Sequence, residues 1–259
     1  ADLAARTVRV LHPGSFRDDP TRLFRAVRCE QRLGFNIAPE TLALIPDAWE
    51  ALAALTGDRL RREFELVFRE AQTTVMLTRL AELDILWHVH PALRWDARQA
   101  ALAADLRELP LAEWRLASPP EPEALYLSLM LGEASPAETV EALARLNANR
   151  AVSDAVPAAQ NIALAGTRPS EVVAALDGQS ESALVAAYVL KPDLRPALQQ
   201  YLARWRFVEA ETTGDDLIRL GLVPGPDFKR ILWALRAARL DGEVADADGE
   251  KTLLRELTR

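Results

Sequence analysis

The chain has 259 residues, of which 49% are hydrophobic, 27% charged and 6% aromatic, so it can bury a core and is neither disordered nor membrane-spanning. Its formal charge of −7 excludes a uniformly basic protein, yet residues 1–35 carry seven arginines against four acids, a balance of +3 that leaves −10 for the remainder. No run of about 18 apolar residues and no signal-peptide core occurs, which predicts a cytoplasmic protein with no membrane contact.

The first residues are predicted to be extended rather than helical. Val8 and Val10 flank Arg9, and this alternation favours a short extended segment. The segment starts abruptly, and we expect that a preceding domain is absent from this chain. Residues 12–15, HPGS, then form a turn.

A helix is predicted directly after this turn. Asp18-Asp19-Pro20 places a capping carboxylate before a proline suited to a first helical turn, so the helix should run from about Pro20 to Leu33 and end at Gly34.

Arginines line one side of this predicted helix. At 100° per residue, Arg25, Arg28 and Arg32 fall within about 60° of one another. The stripe is either a phosphate-binding face or a solvated face with packed stems.

Arg22 lies off the stripe, three residues after Asp19, near enough for the two side chains to meet across one turn. A carboxylate accepts hydrogen bonds and a guanidinium donates a rigid fork, so together they could read the edge of a base. The alternative is a helix-cap salt bridge, which the residues alone favour because such pairs are common.

The rest of the chain is predicted to be helical. Apolar residues recur at helical spacing between boundaries of proline, glycine or serine, and no strand pattern appears after residue 11. The predicted helices are Pro39–Leu55, Asp58–Ala71, Thr73–Leu86, Ala100–Leu109, Glu123–Leu131, Pro136–Leu146, Arg150–Ala165, Pro169–Leu176, Glu181–Leu190 and Pro192–Glu209.

A second compact motif, TGDDLIRLGLVPGPDFKRIL, begins at Thr213. It predicts a short helix ended by Gly221, a tight turn and a long amphipathic helix. Backbone N–H groups at the turn could hold a phosphate, with Lys229 and Arg230 nearby.

No complete active site is indicated. His88 and His90 are interpreted as capping residues, since a third metal ligand is not assured. Cys29, the one cysteine, excludes an internal disulfide and is interpreted as a small core residue. We therefore predict no metal bound by this chain.

The segment RVLHPGSFRDDPTRLFRAVRCEQRLGF resembles the neck of class II tRNA nucleotidyltransferases, which are CCA-adding or A-adding enzymes, and of bacterial poly(A) polymerases. The family's neck motif, (E/D)DxxR followed by RAxR, is matched by residues 18–22 and 25–28. TGDRLRREFEL is similar to the next neck helix, and the tail motif resembles the C-terminal signature. AELDILWHVHP and ARLNANR are similar but looser. The resemblance covers the whole chain.

This resemblance implies roles for the neck residues. Asp19 and Arg22 would pair with the base of an incoming CTP or ATP, with Asp18 and Arg25 in support. Arg28, Arg32, Lys229 and Arg230 would contact RNA or phosphate. The body and tail would grip the acceptor stem and elbow of tRNA by shape, as an A-form helix requires.

The family's catalytic head carries a Gly-Ser motif and a DxD pair for two Mg²⁺ ions, and neither occurs here as a site. Asp246-Ala247-Asp248 matches the DxD pattern but is interpreted as a solvated loop. The head, with its Mg²⁺, is expected to have been cut away or to be a separate chain. This chain alone should therefore bind no cofactor and transfer no nucleotide.

The resemblance further implies an elongated all-α array with a neck at 1–72, a body at 73–205 and a tail at 206–259. The sequence does not distinguish between addition of CCA, CC, A or poly(A), because that choice depends partly on the head. The alternative of another class is a non-catalytic helical module that binds RNA or acts as a scaffold.

Overall fold

The structure is a computed structural model that describes residues 2–259, and the predicted all-α class is confirmed. None of the helices in this range is both long and apolar enough to cross a membrane. Short 3-10 turns cover Pro46–Ala48, Asp105–Arg107, Pro192–Leu194 and Trp205–Phe207. The α-helices are α1 (Ser15–Asp18), α2 (Thr21–Leu33), α3 (Pro39–Leu42), α4 (Trp49–Ala53), α5 (Gly57–Phe68), α6 (Thr73–Glu82), α7 (Ile85–Val89), α8 (Ala97–Ala104), α9 (Leu111–Trp114), α10 (Pro122–Met130), α11 (Pro136–Arg145), α12 (Arg150–Asn161), α13 (Pro169–Leu176), α14 (Glu181–Leu190), α15 (Arg195–Ala203), α16 (Gly214–Arg219), α17 (Pro226–Leu240) and α18 (Ala247–Leu257).

Helix α2 has nearly the predicted bounds. Gly34 ends it with φ 62, a left-handed conformation that costs glycine little. At the other end, Oδ1 of Asp19 accepts a hydrogen bond from the backbone N–H of Thr21 at 3.2 Å, so this carboxylate satisfies one of the helix's free donors.

The extended entry is confirmed, but it has a partner strand that the pattern did not predict. Strand β1 (Thr7–Val8) pairs in parallel with β2 (Asn36–Ile37), in the register Thr7 to Asn36 and Val8 to Ile37. The statement that no strand follows residue 11 is therefore wrong. Two residues are too few to show a period of two, and the pairing depends on the turn at Gly34.

Two predicted helices are interrupted in their middle, and a third, Pro192–Glu209, ends as an α-helix at Ala203, with only the 3-10 turn Trp205–Phe207 after it. The segment Pro39–Leu55 breaks at Pro46, which lacks the N–H needed to continue α3 and starts a 3-10 turn instead. The segment Thr73–Leu86 breaks at Asp84, whose φ of 58 separates α6 from α7. Apolar spacing continues through both breaks, so periodicity alone could not locate them.

The described chain forms two compact units that interleave in sequence. The first comprises residues up to 109 together with 118–161 and 180–190, and the second comprises 110–117, 162–179 and 191–259. In the first unit, α2 packs on α5 and α6, while α10 packs on α5, α8, α12 and α14. Phe24 and Phe64 meet edge to face, with ring centroids 5.4 Å apart, and join α2 to α5.

A buried carboxylate also holds α2 in the first unit. Glu30 is 6% exposed and accepts hydrogen bonds from Arg79 Nε at 2.9 Å and from the backbone N–H of Ile37 at 3.0 Å. It thus joins α2 to α6 and to β2. A buried charge is tolerated here because an opposite charge and a backbone donor compensate it.

In the second unit, α13 packs on α15 and α17, and α17 packs on α16 and α18. The apolar contacts of the α16–α18 region centre on Leu217, Ile231, Leu235 and Leu254. Thr213 caps α16 by accepting from the N–H of Asp216. Both aspartates of Asp246-Ala247-Asp248 are exposed as predicted, but the segment is not a loop, because Asp246 caps α18 by accepting from the N–H of Gly249 at 2.8 Å and Asp248 lies in that helix.

Glu250 should make the stability of the second unit depend on pH. Burial by itself would raise the pKa of this carboxyl, but hydrogen bonds from Thr212 and Glu211 and the Arg239 guanidinium hold it below the usual range. A carboxyl with a depressed pKa stabilises the fold above its unfolded pKa of about 4.3, and this stabilisation is lost as the pH falls through the folded pKa.

We therefore expect hydrogen exchange in α17 and α18 to accelerate at acid pH. Glu250→Gln should be less stable at pH 7 and should lose part of this pH dependence. Glu256→Gln, an exposed position on α18, is the matched control and should behave as the wild type does. Equal pH profiles for the wild type and Glu250→Gln would contradict the assignment.

Candidate functional site

A cavity of about 520 Å³ lies between α2 and α5 in the first unit, within the size range of small-molecule sites. The predicted residues Asp19, Arg22, Arg25, Arg28 and Arg32 all line it. The other lining residues are Thr21, Cys29, Glu63 and Leu66. The structure therefore brings the predicted base-reading pair and the arginine stripe into one space.

Asp19 uses one oxygen to hold the structure and leaves the other free. Its Oδ1 accepts from the Thr21 N–H, from Thr21 Oγ1 at 2.7 Å and from Arg59 Nη2 at 2.8 Å. Within residues 2–259 no donor contacts Oδ2. Partial burial works to raise the pKa of this carboxyl, but the Thr21 hydrogen bonds and the charges of Arg59 and Arg22 outweigh it and lower the pKa.

The expected contact between Asp19 and Arg22 is absent. Arg22 Nη1 donates instead to the carbonyl oxygen of Ser15 at 3.1 Å and to Ser15 Oγ at 2.7 Å. Its Nε and Nη2 donate no hydrogen bond within the described part of the chain. Ser15, which is buried at the start of α1, thus binds the Nη1 end of the Arg22 guanidinium, and Arg22 does not bind Asp19.

The arginine stripe divides into paired and unpaired members. Arg28 and Arg32 both bind Glu70, with Arg28 Nη2 3.2 Å from Oε1 and Arg32 Nε 3.2 Å from Oε2. No carboxylate or other acceptor among residues 2–259 contacts the exposed guanidinium of Arg25. Arg25 is therefore the member of the stripe whose charge is least compensated.

Two charged residues of α5 belong to the site and were not predicted. Arg59 is the ion partner of Asp19, and Glu63, four residues later, lines the cavity. Burial raises the pKa of Glu63, while the charge of Arg28 lowers it in part. The spacing of four residues places both on one face of α5, which was the signal available in TGDRLRREFEL.

Asp18 and Cys29 lie elsewhere than predicted. The Asp18 carboxylate is exposed outside the cavity, 3.6 Å from Nε2 of His12, so it does not support Asp19 directly. Cys29 is half-buried at the cavity wall rather than in the core. A second cavity of about 470 Å³ adjoins β1 and shares Arg22, Arg25 and Cys29 with the first.

The predicted phosphate contacts in the second unit lie in the first turn of α17. Gly225 precedes this helix and supplies no side-chain cap, but Pro226 has no N–H and the N–H of Phe228 donates to the carbonyl oxygen of Gly225 at 3.1 Å, so the helix start offers fewer backbone donors than predicted. Arg230 Nε donates to Asp227 Oδ1 at 3.1 Å, whereas Lys229 has no ion partner in residues 2–259.

Both histidines contact backbone groups of their own segment. His88 Nδ1 lies 2.9 Å from the carbonyl oxygen of Asp84, its ring stacks on Trp49 with centroids 3.8 Å apart, and His90 Nδ1 accepts from the N–H of Ala92. Across residues 2–259 no three side chains of His, Cys, Asp or Glu converge as metal ligands. These residues therefore do not fit a divalent metal ion.

Comparison with known proteins finds a family model and curated relatives that match this chain. Residues 34–96 match a family model described as a probable RNA- and SrmB-binding site of polymerase A. The A-adding tRNA nucleotidyltransferase of Geobacter sulfurreducens is 31% identical over 96% of this chain and 30% of its own length. The CC-adding enzyme of the same organism is 32% identical over 94% of this chain and 64% of its own length.

Solved structures give the same result for the fold. The Thermotoga maritima CCA-adding enzyme complexed with tRNA aligns with a TM-score of 0.79 and 26% identity, over 99% of this chain and 65% of that one. A CCA-adding enzyme with ATP aligns with a TM-score of 0.79 and 25% identity. This chain spans between 30% and 64% of the length of the two curated relatives above. Over the part that it spans, the chain belongs to the tRNA nucleotidyltransferase family of CCA-, CC- and A-adding enzymes.

Proposed function

We propose that this chain selects the base of an incoming CTP or ATP and binds tRNA, as the helical part of a tRNA nucleotidyltransferase that matures tRNA 3′ ends. One observation carries the proposal: a carboxylate with a free oxygen, on Asp19, and a guanidinium with free donors, on Arg22, face the same cavity. The relatives and the solved complexes with ATP, CTP and tRNA support it.

The chemistry of this pair suits cytosine and adenine. Both bases carry an exocyclic amino group beside a ring nitrogen that accepts a hydrogen bond, whereas uracil and guanine carry a carbonyl at that place. Asp19 Oδ2 would accept from the amino group, and Arg22 would donate to the ring nitrogen. The contacts of Asp19 with Thr21 and Arg59, and of Arg22 with Ser15, fix both groups before a nucleotide arrives.

The uncompensated charge of Arg25 is the best candidate for a phosphate contact in the cavity. Arg28 and Arg32 would act there mainly through the Glu70 network that holds them. In the second unit, the α17 start with Lys229 and Arg230 would contact the tRNA backbone, where the phosphates offer charge but no sequence information.

Transfer itself requires parts that the described residues do not supply. A nucleotidyltransferase head, in the same protein or in a separate chain, would hold Mg²⁺ and the triphosphate. In this proposal the chain consists of a neck at 1–72, a body at 73–205 and a tail at 206–259. Poly(A) synthesis stays the second candidate, because the matched family model is named for polymerase A.

Calorimetric titration of the chain with CTP, ATP, UTP and GTP tests the proposal. CTP and ATP should bind roughly tenfold or more tightly than UTP and GTP. Arg25→Ala should weaken binding of all four and reduce its salt dependence while the base preference stays. Arg28→Ala is the matched control, because Glu70 already compensates the charge of Arg28. This variant should lose less nucleotide affinity than Arg25→Ala does. Equal affinity for the four nucleotides, with tRNA still bound in a gel-shift assay, would favour the non-catalytic RNA-binding module instead.

A further inference from the structure

Two segments about 90 residues apart in sequence meet between helices α4 and α5. Arg145, the last residue of α11, donates from Nη1 to the carbonyl oxygen of Leu55 at 2.7 Å. Its Nη2 donates to the carbonyl oxygens of Leu52 at 3.1 Å and Ala53 at 3.0 Å. One guanidinium therefore binds the C-terminal end of α4, where carbonyl groups lack partners within the helix.

The same segment packs against the first turn of α5. A Cβ on Gly57 would lie 2.8 Å from the carbonyl oxygen of Arg145 and 2.9 Å from the backbone nitrogen of Asn147, so only glycine fits without a backbone shift. Asn147, which has φ 45, donates from Nδ2 to Asp58 Oδ1 at 2.8 Å. We call these contacts of Arg145 and Asn147 with residues 52–58 the clasp.

The clasp ends one residue before the site begins. Arg59 follows Asp58 directly and is the residue of α5 that binds Asp19, and Glu63 lines the cavity one turn later. A hydrogen bond weakens steeply when its angle at the hydrogen falls below about 120°. The position of the first turn of α5 thus decides whether Arg59 reaches the carboxylate.

We propose that Arg145 and Asn147 are positioning residues for nucleotide selection, which act by holding α5 so that Arg59 orients the base-reading carboxylate of Asp19. This inference rests on the proposed function of the cavity. It assigns a role to the segment ARLNANR, which lies outside the neck and lines neither cavity described above.

The test uses Arg145→Met and Asn147→Gly in the 259-residue chain. Asn147→Gly keeps a backbone that favours positive φ and removes the amide bond to Asp58. The first readout is the Asp19 carboxyl pKa, measured by ¹³C NMR without nucleotide. It should rise in both variants, because the Arg59 charge no longer sits on Oδ1. The second readout is the ratio of CTP to UTP affinity, which should fall roughly tenfold through misplacement of the pair.

Matched controls separate positioning from general destabilisation. Arg150→Met removes an exposed arginine five residues further on. Gly57→Ala should act as the clasp variants do, whereas Gly214→Ala, the same helix position in a second Thr-Gly-Asp sequence, meets only an atom 4.0 Å away and should change neither readout.

Folded Arg145→Met and Asn147→Gly proteins with an unchanged Asp19 pKa would overturn the inference. If Arg145→Met does not fold, the same two readouts in Asn147→Gly and Gly57→Ala test the positioning role. A wild-type chain that binds no nucleotide would refute the proposed function. The Asp19 pKa measured by NMR would still show whether the clasp positions Arg59 against Asp19.

Discussion

Replacing Asp19 with asparagine is expected to lower the preference for CTP and ATP over UTP and GTP by roughly ten- to hundredfold. Asparagine can keep its oxygen at the Oδ1 position, where the Thr21 and Arg59 donors bind, so α2 should remain capped. Its amide nitrogen then replaces the free Oδ2 and turns an acceptor into a donor. That donor suits the carbonyl of uracil or guanine and opposes the amino group of cytosine or adenine.

Competitive titration with the four nucleotides measures this effect. Asp18→Asn is the matched control, since its carboxylate is the neighbouring one, is exposed and lies outside the cavity. It should leave the preference unchanged. A loss of overall affinity in Asp19→Asn with an intact preference would show that Asp19 is structural and that the base is read elsewhere.

Replacing Glu30 with alanine is expected to destabilise the first unit by about 3 kcal/mol, because it strips Arg79 of its buried partner. The loss also leaves the buried N–H of Ile37 without its acceptor. The melting temperature of that unit should fall by roughly 8 °C, measured by calorimetry at pH 7.

The same arginine provides the control. Arg79 Nη1 also binds Glu82 at 3.0 Å, but that carboxylate is 56% exposed. Glu82→Ala should cost less than about 1 kcal/mol, because water screens an exposed pair. Equal losses in the two variants would show that burial does not set the strength of the Glu30 contact.

Local patterns determined the helical framework of this protein. The bounds of α13 and α14 match the predicted segments Pro169–Leu176 and Glu181–Leu190, and Gly34 ends α2 as predicted. Such features are readable because caps, glycine stops and apolar spacing act within a few residues. The resemblance of residues 18–28 to a neck motif likewise indicated one wall of the cavity, since the arginines of that wall follow one another along α2, whereas Glu63 and Leu66 come from α5.

Tertiary structure alone decided how the charged groups pair. Spacing along α2 suggested that Asp19 meets Arg22, yet Asp19 binds Arg59, 40 residues away, and Arg22 turns back to Ser15. Arg28 and Arg32 similarly share Glu70, which lies two residues after the end of α5. Sequence spacing limits contacts within one helix to about one turn, whereas partners from other helices depend on how α2, α5 and α6 pack. The amino-acid sequence thus indicated the site residues of α2, whereas the packing of the helices added Arg59 and Glu63 and decided which charged groups remain free to bind a ligand.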